Sequence, residues 1–237
     1  MIDVRPFFEQ AFKHAQETPQ REACGLVVVP YGHPIYRPCR NIAETDVEFV
    51  IHPADYLKAE REGIIAVVHS HLHGSPEPSM ADLVGCESTK LPWIIVALPS
   101  GAYKQIEPTD FKAPLIGRPF VPGVLDCFSL ARDYYATIGL DLPDFARDGA
   151  WWEHGEDLLT PDNFWKAGFR VVTDGTLRMD DGIIMQNGIT PVPNHVAVYL
   201  GDGLMLHHSG NALSCKTPYG GYWQKCTNFI LRHESKC

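Results

Sequence analysis

Between Pro108 and Gly123 the chain sets Pro108, Pro114, Gly117, Pro119, Pro122 and Gly123 close together. Breakers this dense cannot continue a helix or a central strand. No single sheet or bundle is therefore expected to run through the middle of this 237-residue chain. The stretch predicts a linker at 108–118 between two compact domains, 1–107 and 119–237, each long enough to bury its own core.

Periodicity on either side predicts an α+β chain with α/β-like alternation in its first half. There, Phe7, Phe8, Ala11, Phe12 and Ala15 fall at helical spacing before Pro19. A buried strand follows at Cys24–Val29, then a helix opened by Pro53 and stopped by Gly63. A strand at 64–71, a helix from Ser79 to about Thr89 and a strand at 93–98 complete a sheet flanked by helices. The second half opens with an amphipathic helix from Asp126 to about Ile138. It ends in strand signals at 183–185, 195–200 and 204–208, with Phe229-Ile230-Leu231 near the C-terminus.

Composition excludes some classes. A formal charge of −9 argues against nucleic acid as a partner, because phosphate binding needs a basic excess. The apolar runs have strand length and are too short for a bilayer. Met1–Pro6 lacks the charged and apolar regions of a signal peptide. Seven scattered cysteines without a CxxC pair fit reduced thiols in a cytoplasm.

His69-Ser70-His71 stands at the end of an apolar strand, and Ser79-Met80-Ala81-Asp82 follows after a Gly/Pro-rich loop. Strand alternation points His69 and His71 the same way. Two imidazoles on one face with a carboxylate from the next helix form a three-ligand zinc site with an open position. Glu22, ahead of the first strand, is the candidate base. Ser79-x-x-Asp82 is also a capping box, and His73 reads as a loop residue. Glu22, then His-Ser-His, seven residues, Ser, two residues and Asp resembles the JAMM (MPN-type) metallopeptidase signature over about residues 1–107. That resemblance implies Zn2+ held by His69, His71 and Asp82, Glu22 as general base, and Ser79 holding the tetrahedral intermediate.

In the second half Asp126 suits the N-cap, which places Cys127 in the first helical turn. Free N–H groups and the helix dipole there favour a thiolate. In His195–Leu200, Val196, Val198 and Leu200 form the core face and His195 the other. A three-residue loop at Gly201-Asp202-Gly203 would pair Leu200 with Leu204, Val198 with Leu206 and Ala197 with His207. His195 and His207 then share a face as base and orienting partner. His208 reads as a polar sheet-face residue, and the other six cysteines as small core or surface thiols. DCxxL, HVxxYLGDG and the later His207 resemble the NlpC-type papain-like peptidases over about residues 119–233, with Phe128-Ser129 where Ser-Gly is usual. This implies a helix-plus-antiparallel-sheet domain and a peptide or peptidoglycan substrate.

The two halves in this order, with Gly117-Arg118-x-Phe120, DCFSLARDYY and a Trp-Trp segment, resemble the phage tail assembly protein K family over nearly the whole chain. The resemblance implies two peptidase sites, phage tail-tip proteins as partners, and the bacterial host cytoplasm as location, in association with the assembling tail. A non-catalytic assembly factor using both folds as binding modules is the alternative.

Overall fold

The computed structural model describes residues 5–147 and 149–236. Cys237 and the extreme N-terminus, on which the absence of a signal peptide was read, lie outside them. The chain forms two compact units, meeting at Lys112/Ala113. Residues 108–118 divide between them. The backbone of Thr109 and Phe111 donates to Glu87 in the first unit, whereas Arg118 is fully buried in the second. Its guanidinium donates to Asp133 and to the carbonyls of Ala113 and Pro114.

In chain order the first unit runs α1 (Arg5–Glu17), β1 (Cys24–Val28), β2 (Ile35–Cys39), α2 (Pro53–Glu62), β3 (Ile64–His71), α3 (Met80–Thr89), β4 (Trp93–Ala97) and β5 (Tyr103–Ile106). The sheet order is β2-β1-β3-β4-β5. β3 and β4 are parallel and the other pairs antiparallel. Alternation sends Val27, Ala66, Val68, Ile94 and Val96 to one face, where Phe7 and Ala11 of α1 cover them. Cys24, Leu26, Val67 and Ile95 go to the other, under Ala59 of α2 and Cys86 of α3. A sheet sandwiched between helices buries both faces, which is why β1 and β4 read as continuous apolar runs. Gly25 has a packing reason: a Cβ there would lie 2.5 Å from the Tyr36 ring.

The second unit comprises α4 (Cys127–Thr137), α5 (Pro161–Trp165), β6 (Phe169–Val171), β7 (Gly182–Met185), β8 (His195–Gly201), β9 (Leu204–His207), β10 (Cys215–Pro218), α6 (Tyr222–Lys225) and β11 (Thr227–His233). Its sheet, ordered β10-β9-β8-β7-β11-β6, is antiparallel throughout. Phe128, Ala131 and Tyr135 of α4 pack on Val196, Val198 and Leu231 with Trp151 and Phe164. The fold is α+β, with one helix-flanked mixed sheet and one helix-plus-antiparallel-sheet unit.

The β8–β9 hairpin corrects one expectation. Ala197 pairs with His207 and Val198 with Leu206, but Gly201, not Leu200, faces Leu204. The turn has two residues, Asp202 and Gly203, both at positive φ, the backbone of a tight hairpin. A bulge between Tyr199 and Gly201 absorbs the extra residue. A two-residue turn alone would put the apolar positions out of phase; the bulge restores the phase.

His208 corrects another. It is fully buried just past β9, edge-on to Phe120 at 5.1 Å, and neither ring nitrogen finds a hydrogen-bond partner among the described residues. Burial lowers its pKa, although the Ala212 and Arg118 backbones oppose this. An isolated HH pair could not show that Phe120, far away in sequence, packs against the second ring.

Candidate active sites

In the first unit β3 delivers His69 and His71 to the face covered by α3, and the first turn of α3 delivers Asp82. His69 Nε2 lies 3.2 Å from His71 Nε2 and 3.1 Å from Asp82 Oδ1; His71 Nε2 lies 3.3 Å from Asp82 Oδ2. Ligands about 2.0–2.1 Å from a tetrahedral zinc sit about 3.3 Å apart, so this donor set fits the ion. Tautomers support the fit. His71 Nδ1 lies 3.0 Å from the Ser75 carbonyl and donates to it, which leaves the Nε2 lone pair facing the cluster. Among the described residues these three form the one such group of metal-ligating side chains.

Ser79 both caps α3 and orients Asp82. Its Oγ accepts the Asp82 N–H at 3.1 Å, and its own N–H donates to Asp82 Oδ2 at 2.7 Å. Burial alone would raise the Asp82 carboxyl, but hydrogen bonds from His69, His71 and the Ser79 backbone hold it well below the usual range. Asp82 in turn raises the His71 pKa. Glu22 is buried, and burial pushes its carboxyl up to about 8; His71 opposes the shift, while Asp82, Glu48 and Asp46 add to it. His73 is exposed in the loop.

Two residues of this site escaped the sequence reading. Phe49 stacks on His69, with ring centroids 4.6 Å apart. Asn41 uses its whole amide: Nδ2 donates to the Glu22 and Glu48 carbonyls at 2.8 Å each, and Oδ1 accepts from Ala43 and Val50 at 2.9 and 3.0 Å. Ser70 Oγ accepts the Ala23 N–H at 2.8 Å. Together they tie the Glu22 backbone to β3 and to the loop carrying Phe49. The contact to Ala43, two residues on, is a local asparagine-turn pattern; the other contacts leave no trace in sequence.

In the second unit Asp126 caps α4. Its carboxylate accepts from Gly123, Ser129 and a two-pronged Arg147 guanidinium, at 2.6–3.1 Å. Phe128-Ser129 is thereby explained. Ser129 closes the capping box, and Phe128 joins the core beneath Arg147, whose guanidinium lies 4.9 Å from its ring.

Cys127 stands in the first turn of α4, but its electrostatics run against the expected thiolate. The residue keeps some accessible surface, yet protein atoms crowd the thiol. Burial pushes it up to about 12 and Asp126 adds to the shift, against backbone N–H groups of Val196 and Phe128 and the Arg147 charge. The upward direction follows from both leading causes, since a buried anion beside a carboxylate is disfavoured. The dipole argument omitted the charge of the residue that caps the helix.

The structure brings His195 and His207 together: Nε2 of the first lies 3.1 Å from Nδ1 of the second. Both are buried, on a face that proves to be a small second core of Ile183, Met185, Ala197 and Met205. Trp223 lies against both rings, at 5.6 and 4.7 Å. Burial, with His207 and His208 adding, lowers His195 to about 3, so it is neutral near pH 7. No hydrogen bond joins Cys127 to His195 among the described residues. Burial thus favours a thiol and a neutral imidazole near pH 7, where a thiolate was expected. Cys215, read as a small bystander, lies 3.6 Å from His207 Nε2.

Comparison with known proteins agrees with this division. Residues 4–110 match the family model for prokaryotic homologs of the JAB domain, and residues 117–232 that of the NlpC/P60 family. Tail tip assembly protein K of Escherichia phage N15 is 39% identical over 225 residues, which cover 93% of this chain and 91% of that protein. The protein of that name from Escherichia phage lambda is 38% identical over 184 residues, 77% and 89% respectively. A crystal structure of an NlpC/P60 family protein from Bacillus cereus ATCC 10987 aligns with 93% of this chain and 66% of its own, at 13% identity and a TM-score of 0.34, too loosely to argue from. No helix among the described residues is long and apolar enough to cross a membrane. With identity near 39% sustained over almost its whole length, the chain belongs to the tail tip assembly protein K family, a JAB-type unit followed by an NlpC/P60-type unit.

Proposed function

We propose that the chain is a two-site hydrolase acting in phage tail-tip assembly, in the host cytoplasm and alongside tail-tip proteins. The first unit would cleave a peptide or isopeptide bond, and the second an amide bond in a peptide or in peptidoglycan. The observation that carries the first reading is the convergence of His69, His71 and Asp82, with His71 anchored on Ser75. These three residues would hold zinc, and the ion would supply the Lewis acidity that makes water a nucleophile near neutral pH. Glu22, whose carboxyl burial pushes up, would take and return the proton as general base. Ser79 accepts a hydrogen bond from Asp82, which leaves its hydroxyl proton for a substrate carbonyl oxygen.

In the second unit Cys127 would be the nucleophile, neutral His195 the base and His207 the orienting partner. Two features favour a second reading, in which this unit binds without cutting: burial raises the Cys127 thiol, and no hydrogen bond joins it to His195 among the described residues. Metal analysis of purified protein, with turnover of peptidoglycan-derived peptides, tests both readings. The first requires about one zinc per chain, lost in His71→Ala and kept in Glu22→Gln. Stoichiometric zinc in His71→Ala would rule out the ligand set. Turnover abolished by Cys127→Ala supports the cutting reading; binding of those peptides without turnover favours the other.

A further inference from the structure

The two histidines of the first unit's cluster are held by different means. His71 is anchored from behind, where its Nδ1 donates to the Ser75 carbonyl at 3.0 Å. His69 turns Nε2 to the cluster, 3.1 Å from Asp82 Oδ1 and 3.2 Å from His71 Nε2. Its Nδ1 is buried and finds no hydrogen-bond partner among the described residues. A metal-ligating imidazole ordinarily uses its far nitrogen to fix the orientation of its ring. For His69 that contact is missing.

Two aromatic rings lie against it instead. Phe49 stacks on His69, with centroids 4.6 Å apart and planes 22° from parallel. Trp93 meets the same imidazole edge-on, at 5.6 Å and 76°, and lies 5.5 Å from the Phe49 ring. We propose that Phe49 is a positioning residue: backed by Trp93, its ring holds the plane of His69 so that Nε2 faces the cluster, and this sets how tightly the site binds zinc. The inference deepens, and rests on, the reading of His69, His71 and Asp82 as zinc ligands.

The bracket is itself fixed on both sides. Asn41 pins the two neighbours of Phe49, donating to the Glu48 carbonyl at 2.8 Å and accepting the Val50 N–H at 3.0 Å. Trp93 Nε1 donates to Thr89 Oγ1 at 2.9 Å. Gly85 of α3 gives that indole room, because a Cβ there would overlap the Trp93 ring. Glycine inside a helix is destabilising relative to alanine, and the ring accounts for its presence. A quarter-turn of the imidazole about its Cβ–Cγ bond would push its edge into the Phe49 face, which the close-packed stack does not accommodate. Leucine or methionine at 49 keeps apolar bulk but has no flat face. The imidazole plane then gains freedom that zinc binding must remove, and a less preorganised site binds more weakly.

The test uses the full-length protein stripped of metal, in wild type, Phe49→Leu, Phe49→Met, Phe49→Tyr and Phe7→Leu. Competition with a chromophoric chelator reads zinc affinity, and urea unfolding of the metal-free protein identifies the folded variants. Lower stability does not by itself change the affinity of the folded state, so the chelator reads the site. Phe49 is half-buried, and tyrosine keeps its ring. Leucine and methionine should weaken zinc binding about tenfold, the scale of losing an outer contact to a ligand, and tyrosine should restore it. Phe7→Leu makes a like change on the opposite face of the sheet; it should lower stability and leave zinc affinity alone. Wild-type affinity in folded Phe49→Leu or Phe49→Met would overturn the proposal, as would failure of tyrosine to rescue or an equal loss in Phe7→Leu. A wild type that takes up no zinc would defeat the ligand reading, and the proposal with it.

Discussion

Asn41→Ala should loosen the first unit at the place where the Glu22 backbone and the Phe49 loop are joined. The side chain makes four hydrogen bonds of 2.8–3.0 Å. Truncation leaves the carbonyls of Glu22 and Glu48 and the N–H groups of Ala43 and Val50 without that partner. A net hydrogen bond contributes about 0.5–1.5 kcal/mol, and a buried group left unpaired costs more. The site is only part-buried, so water recovers some of the loss, and the expected destabilisation is about 3 kcal/mol. That is a large share of a typical domain stability of about 5–15 kcal/mol, but it leaves the unit folded. Native-state hydrogen exchange on the full chain reads this directly. The Ala43 and Val50 amides should lose protection first, and the β1 and β3 amides should report the global loss. Amides of β8 in the second unit should not change. Asn41→Asp retains the acceptor and loses both Nδ2 donors, so its Ala43 and Val50 amides should stay better protected than in the alanine variant. A loss below about 1 kcal/mol, with Ala43 and Val50 still protected, would refute the hub argument.

Three further outcomes are expected. Fragments 1–112 and 113–237 should each fold alone, since each unit has its own core; random-coil circular dichroism from either fragment would defeat the division. Cys127 alkylation should rise with pH well beyond the ordinary thiol value of about 8.5, because burial and Asp126 disfavour the anion. Asp126→Asn should bring the profile down, and a wild-type break at or below that value would contradict the sign. Arg147→Met should cost about 3–5 kcal/mol in urea unfolding by stranding the buried Asp126 carboxylate, with Asp126→Asn added to it recovering part; a single variant as stable as wild type would count against this ion pair.

What the amino-acid sequence determined by itself is whatever depends on local period and chain chemistry. Period-two alternation placed His69 and His71 on one face. Pro53, Gly63, Ser79 and Asp126 marked helix ends because caps act within one turn. Tertiary structure alone decided what depends on residues distant in sequence. The Leu200 bulge was hidden because a bulge is settled by the partner strand. The burial of His208 depends on Phe120, far away in sequence, which packs edge-on against its ring. The Cys127 proton affinity was misjudged because it is set by desolvation and by the Asp126 charge, not by the helix dipole alone. Asn41 stayed unremarked, and Cys215 read only as a small thiol, for the same reason. Their partners at Glu22 and His207 are brought to them only by strand pairing and loop closure, and a hydrogen bond across such a gap leaves no period to read.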